Sequence, residues 1–152
     1  MRYTTSNIQQ TVWVHPDEIQ ANRARWIVDA EWKTLWRLAV EITKKLMWKH
    51  KAYYCEQRDC GDYVIVLNAD KIVVTWNKMS DKIYYRYSGY KGHLKERSLR
   101  SMLEKHPLRV IELAVKWMLP KNKQRKERLK KLKAFVWSDH PYSQFSPKEL
   151  LA

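Results

Sequence analysis

The 152-residue sequence predicts an α/β layered fold. Three observations predict it. Residues 25–30 make a short β-favouring run, and residues 34–49 carry apolar side chains at helical spacing. Residues 63–67, Tyr-Val-Ile-Val-Leu, form an unbroken apolar run of the kind covered on both faces of a sheet. A strand, a helix and a second strand, followed by mixed elements, is the pattern of helices layered on a sheet.

Taken in order, residues 1–24 are polar, contain Pro16 and keep no period, so they read as an extended N-terminal arm. In the helix over 34–49, Leu35, Leu38, Ala39, Ile42 and Leu46 share one face, and Arg37, Lys44, Lys45 and Lys49 fall largely off it. Residues 50–62 are a polar connection to the strand at 63–67, and Asn68-Ala69-Asp70 turns the chain. Ile72–Thr75 reads as another short strand and Lys82–Tyr87 as a third extended piece, which enters a loop over 88–93 holding Gly89 and Gly92. Ser98 can cap a helix through Lys105, and Pro107 suits the first turn of the next one. Val110, Ile111, Ala114, Val115 and Met118 give that helix its apolar stripe before Pro120 stops it. Residues 121–133 are a short helical stretch crowded with cations, 134–136 a last strand, and 138–152, with Pro141 and Pro147, a C-terminal tail. The expected organisation is an arm over 1–24, a single α/β domain over 25–137 and a tail over 138–152.

Composition narrows the function. The chain holds 30 Lys+Arg against 16 Asp+Glu, a formal charge of +14, which points to a polyanionic partner, most often nucleic acid. With 45% hydrophobic residues it can bury a real core, and disorder is a poor reading. No apolar run approaches the ~20 residues of a membrane span. The first residues lack a signal-peptide stretch, so the protein is expected to work where it is made. Cys55 and Cys60 match no zinc spacing and are expected to be reduced cytosolic thiols, and the five histidines form no ligand pair, so no metal or cofactor is expected.

Catalytic motifs are missing. Trp32-Lys33-Thr34 stands where a phosphate loop ends, but Trp occupies the glycine place and Ile27 the earlier required glycine. No nucleophile elbow or pair of carboxylates can be picked out. Asp59, Asp62 and Asp70 read as turn residues and caps. A small α/β nucleotide-using enzyme and a DNA-binding accessory protein are the alternative functions to RNA binding. The residues expected to touch RNA are Arg37, Lys44, Lys45, Lys49 and Lys51 on and after the first helix. Lys78, Arg86, Tyr87, Gly89, Lys91, Gly92 and Lys95 follow around the loop, where rings interleave with cations. Lys121, Lys123, Arg125, Lys126, Arg128, Lys130, Lys131 and Lys133 complete the set, in a stretch of one charge sign that phosphates would neutralise.

Longer motifs add a resemblance. The run Asp59-Cys60-Gly61-Asp62 through Asp70-Lys71 resembles the signature of ribosomal protein thirteen of the large subunit, in its bacterial and organellar form. Lys82-Ile83-Tyr84-Tyr85, Ser88-Gly89-Tyr90, His106-Pro107 through Pro120-Lys121, and Leu132-Lys133 continue it, over roughly residues 20–142. The resemblance implies a three-layer α/β/α fold with a mostly parallel four-stranded sheet and extended terminal arms. It implies a structural, non-catalytic role in the large subunit, binding its ribosomal RNA, supporting early assembly and touching neighbouring ribosomal proteins. Membrane and small-molecule substrates are not implied. The location implied is cytoplasmic, on the ribosome, with an organellar ribosome left open. His93 and Arg125 stand where the family has glycine, which bears on local loop conformation.

Tryptophan is the larger departure. The chain has 3 Gly, about 2% against a usual ~7%, and 8 Trp. Together they number 11, close to the ordinary share of glycine alone. Trp32, Trp36, Trp48, Trp76, Trp117 and Trp137 stand where the resembled family has glycine, whereas Trp26 matches a family aromatic. Trp32 and Trp76 fall in tight turns and Trp48 at a helix end, while Trp36 and Trp117 lie within predicted helices. Two readings compete: glycines written as Trp from UGA codons, or true rings that stack on RNA bases. The first expects backbone strain or exposed rings at Trp32, Trp48 and Trp76.

Overall fold

The computed structural model describes residues 16–51 and 58–150; Cys55 and most of the N-terminal arm lie outside them. In chain order the elements are α1 (Pro16–Ala21), β1 (Arg25–Asp29), α2 (Leu35–Met47), β2 (Tyr63–Leu67) and α3 (Lys78–Asp81). Next come β3 (Ile83–Tyr87), β4 (Leu94–Ser98), α4 (Leu99–Lys105), α5 (Pro107–Met118) and α6 (Gln124–Lys130). The strands β5 (Leu132–Ala134) and β6 (Lys148–Glu149) close the chain.

Four strands make one sheet in the order β5-β2-β1-β6, and every neighbouring pair is parallel. Helices flank it in the three-layer α/β/α arrangement. The register of β1 on β2 sets Trp26 beside Val64 and Val28 beside Val66. Val64, Ile65 and Val66 are all buried, with Ile65 on the face opposite the two valines, as a strand covered on both faces requires. Leu38, Ile42 and Leu46 of α2 meet Val110, Ile111 and Val115 of α5 in the same core. Each such side chain contributes about 1.5–3 kcal/mol on burial, so the apolar stripes, more than helix propensity, hold these helices.

Local chemistry agrees with the sequence at several ends. Ser98 Oγ accepts the Ser101 N–H at 3.4 Å, and Pro107 occupies the first turn of α5. Elsewhere the structure corrects the reading. Ile72–Thr75 is no strand but a single parallel bridge between Thr34 and Val73. The Val73 N–H donates to Lys33 O and Val73 O accepts from Leu35 N–H, after which the chain turns away at Trp76. The last predicted strand lies two residues earlier, at Leu132–Ala134. The expected tail supplies β6, whose Lys148 pairs with Trp26, and Leu150 reaches the core. The polar segment Leu94–Ser98 forms β4, which pairs antiparallel with β3 in a two-stranded hairpin outside the main sheet. Within the expected arm, α1 lays Ile19 against Trp48 and Cys60.

Candidate nucleic-acid interface

The hairpin and the helix ends beside it enclose a groove of about 1110 Å³. Its walls come from the start of α2, the 73–75 segment, α3, β3, β4 and the outer side of α5. Lys78, Lys82, Arg86, Lys95, Arg97 and Arg109 line it, and among the described residues no carboxylate does. All six cations are exposed, and none is ion-paired with a described residue. Six like charges around one groove repel each other, and a polyanion relieves that repulsion while releasing its own counterions.

The hairpin adds flat surfaces. Tyr85, Tyr87 and Tyr90 are 62%, 59% and 73% exposed, a large apolar display for side chains that otherwise pack. Tyr84 is the exception, half-buried against the core. Gly89 and Gly92 have φ of +98° and +76°, and a Cβ at either would meet nothing within 4 Å. Backbone conformation, not crowding, is what calls for glycine in this loop. Trp36 and Trp117 stand on opposite helices at the groove wall, 69% and 76% exposed.

The sequence-predicted residues divide into groups. Lys78, Arg86 and Lys95 line the groove, with Tyr87, Gly89, Lys91 and Gly92 exposed on the hairpin beside it. Arg37, Lys44 and Lys49 are exposed on or just after α2, although Lys44 pairs with Glu41 at 2.7 Å. Lys121, Lys123, Lys126, Lys130 and Lys133 are exposed at and around α6, with Lys130 paired to Glu127. The remaining five are engaged inside the molecule. Lys45 sits over the Trp26 ring at 3.8 Å, and Arg125 donates to the carbonyls of Leu119 and Pro120. Lys51 pairs with Asp62 at 2.7 Å. Arg128 and Lys131 are buried, both facing Asp59. Sequence reasoning missed Lys82, Arg97 and Arg109, because only the hairpin fold brings them to the groove.

Two carboxylates read as turn residues instead hold elements of the fold together. Asp62 is fully buried; its Oδ1 accepts from the Ala24 N–H at 3.1 Å and from Lys51, and its Oδ2 accepts from the Trp26 indole at 2.9 Å. Asp59 pairs with Lys131, whose ammonium also donates to Gly61 O at 3.0 Å. Burial holds Lys131 below the ordinary lysine pKa, against the opposing pull of Asp59. Gly61 itself has no room for a side chain: a Cβ there would lie 2.0 Å from Leu46 O. The motif Asp59-Cys60-Gly61-Asp62 therefore ties α6 and β5 on one side to β1 and the end of α2 on the other. Among the described residues no group of three His, Cys, Asp or Glu could hold a metal ion.

This arrangement has relatives. The family described as ribosomal protein L13 matches residues 23–141. The chain belongs to the ribosomal protein L13 family. It is 48% identical over 143 residues to large ribosomal subunit protein uL13 of Thermotoga petrophila, covering 94% of this chain and 95% of that protein. It is 53% identical over 125 residues to the uL13 protein of Acidithiobacillus ferrooxidans, covering 82% and 88%. With the uL13 protein of Aquifex aeolicus it shares 51% over 141 residues, covering 93% and 96%. As a member of this family the chain is a structural constituent of the large ribosomal subunit and not an enzyme.

Proposed function

We propose that the groove and its hairpin bind large-subunit ribosomal RNA, as part of early subunit assembly in the cytoplasm and beside neighbouring ribosomal proteins. The observation that carries this reading is the ring of six exposed cations with no carboxylate among them in the described residues. The groove cations grip phosphate, which fixes position more than it reads sequence. Tyr85, Tyr87 and Tyr90 offer faces on which unpaired bases stack. The exposed lysines of α2 and α6 extend the basic surface beyond the groove. Arg128, Lys131 and Lys51 take no part in RNA binding, because their charges are spent on Asp59 and Asp62 inside the fold.

Replacing Arg86, Lys95, Arg97 and Arg109 together by Gln tests the reading. The log–log salt dependence of binding to large-subunit RNA should flatten by roughly 0.7–0.9 for each phosphate no longer neutralised. An unchanged slope would remove the groove from the RNA interface.

A further inference from the structure

We propose that positions 32, 36, 48, 76, 117 and 137 hold glycine in the protein as its own cell makes it, each encoded by a UGA codon written as tryptophan in this sequence. The backbone carries the argument furthest. Among the described residues five that are not glycine have positive φ: Trp32 at 60°, Trp48 at 64°, Trp76 at 63°, Asn68 and Ser146. Asparagine is among the residues that tolerate this region; a bulky aromatic there is an outlier. Three of the seven described tryptophans occupy it.

Each of the three sits where the chain turns or a helix ends. Trp32 is the third residue of a turn closed by the Lys33 N–H on Ala30 O at 3.2 Å, the place where a type II turn takes glycine. Trp48 ends α2 in the left-handed conformation with its N–H on Lys45 O, a position glycine fills in most helices that end this way. Trp76 lies one residue before Asn77, which leads into α3.

The side chains give a second, independent observation. Trp32, Trp36, Trp76, Trp117 and Trp137 are 79%, 69%, 90%, 76% and 72% exposed. A residue that normally buries most of its surface is here displayed to water five times in one small fold. Trp26 behaves differently: it is partly buried, packs on the core and donates its indole N–H to Asp62. Trp48 alone of the six is enclosed, between Ile19 and Cys60.

Decoding supplies a single-step route. UGA differs from the glycine codon GGA in one base, so a glycine transfer RNA altered at one anticodon base would read it. Returning these six positions to glycine raises glycine from 3 copies to 9, close to an ordinary content for this length. A consequence follows for the groove, and it rests on the RNA reading above. With Trp36 and Trp117 replaced by glycine, two bulky walls disappear and a phosphate backbone can approach α2 and α5 closely.

Whole-cell protein from the source organism, cleaved after Lys and Arg and weighed by mass spectrometry, tests the proposal without requiring ribosome association. The peptide over 26–33 contains both Trp26 and position 32, so it carries its own control. One tryptophan and one glycine are expected in it, and glycine alone at position 76 in the peptide over 72–78. The gene should show UGA at all six positions. A UGG codon at any of the six, or a tryptophan mass at position 32 or 76, overturns it and returns the exposed rings to the surface as true aromatic groups.

Discussion

Replacing Asp62 by alanine strips one buried carboxylate from four partners at once. The Ala24 N–H and the Trp26 indole lose their acceptor, and Lys51, whose side chain is only 16% exposed, loses its counter-charge. His50 Nε2, 3.4 Å from Oδ2, is the fourth. Hydrogen bonds to a charged group are worth about 1.5–3 kcal/mol each, but the terms overlap because all share one side chain. Breaking a buried pair from one side costs about 3–5 kcal/mol, and that is the loss expected here. A domain of this size has about 5–15 kcal/mol in all, so the urea midpoint should fall by roughly a fifth or more with the slope unchanged. Asp62→Asn keeps an acceptor oxygen without the charge and should lose less. Urea unfolding at pH 7.5 followed by far-UV circular dichroism measures both. A loss under about 1 kcal/mol for Asp62→Ala would refute the assignment of Asp62 as the junction of β1, β2 and the 50–51 segment.

The other predictions concern charge and backbone. Burial, with help from Lys45 and against the pull of Asp62, holds the His50 pKa below its ordinary 6.5. The fold therefore favours neutral His50, so its contribution is complete above about pH 6.5 and is lost as the pH falls through the lowered folded value. Urea midpoints taken from pH 7.5 to 5.5 should decline, and His50→Gln should shallow that decline; an equal decline in both proteins would remove His50 as a cause. Trp76→Gly relieves a left-handed residue that is 90% exposed and should stabilise the recombinant Trp-containing chain by roughly 0.5–1 kcal/mol. Trp36→Gly, within α2, should cost roughly 0.5 kcal/mol. Thermal unfolding that moves both variants the same way would contradict the backbone argument. Gly61→Ala forces a Cβ onto Leu46 O and should cost about 1–3 kcal/mol or more, read from the same urea titration.

What the sequence made legible follows from periodicity. The α2 and α5 stripes and the apolar run of β2 each announce their element, because each buries a face or a whole strand. The segment Leu94–Ser98 could not be read as a strand, since its Leu-Lys-Glu-Arg-Ser pattern buries nothing and its pairing comes from β3. Lys148 and Glu149 were equally silent, as two polar residues held in the sheet by backbone pairing with β1. At the candidate site, charge density found the basic surface but not its inward-facing members. Arg128 and Lys131 look like their exposed neighbours in the 121–133 run, and only the fold reveals that Asp59 faces them. The aspartates carry the same lesson in reverse, because a turn residue and a buried ion-pair partner share one letter.

Sedimentation tests the central claim most directly. Lysate from cells making the tagged chain, layered on a sucrose gradient, should carry it with the large subunit and with whole ribosomes. Prior ribonuclease treatment should release it toward the top. A chain found only among free soluble proteins, whether or not the RNA is intact, would contradict its place as a constituent of the large subunit.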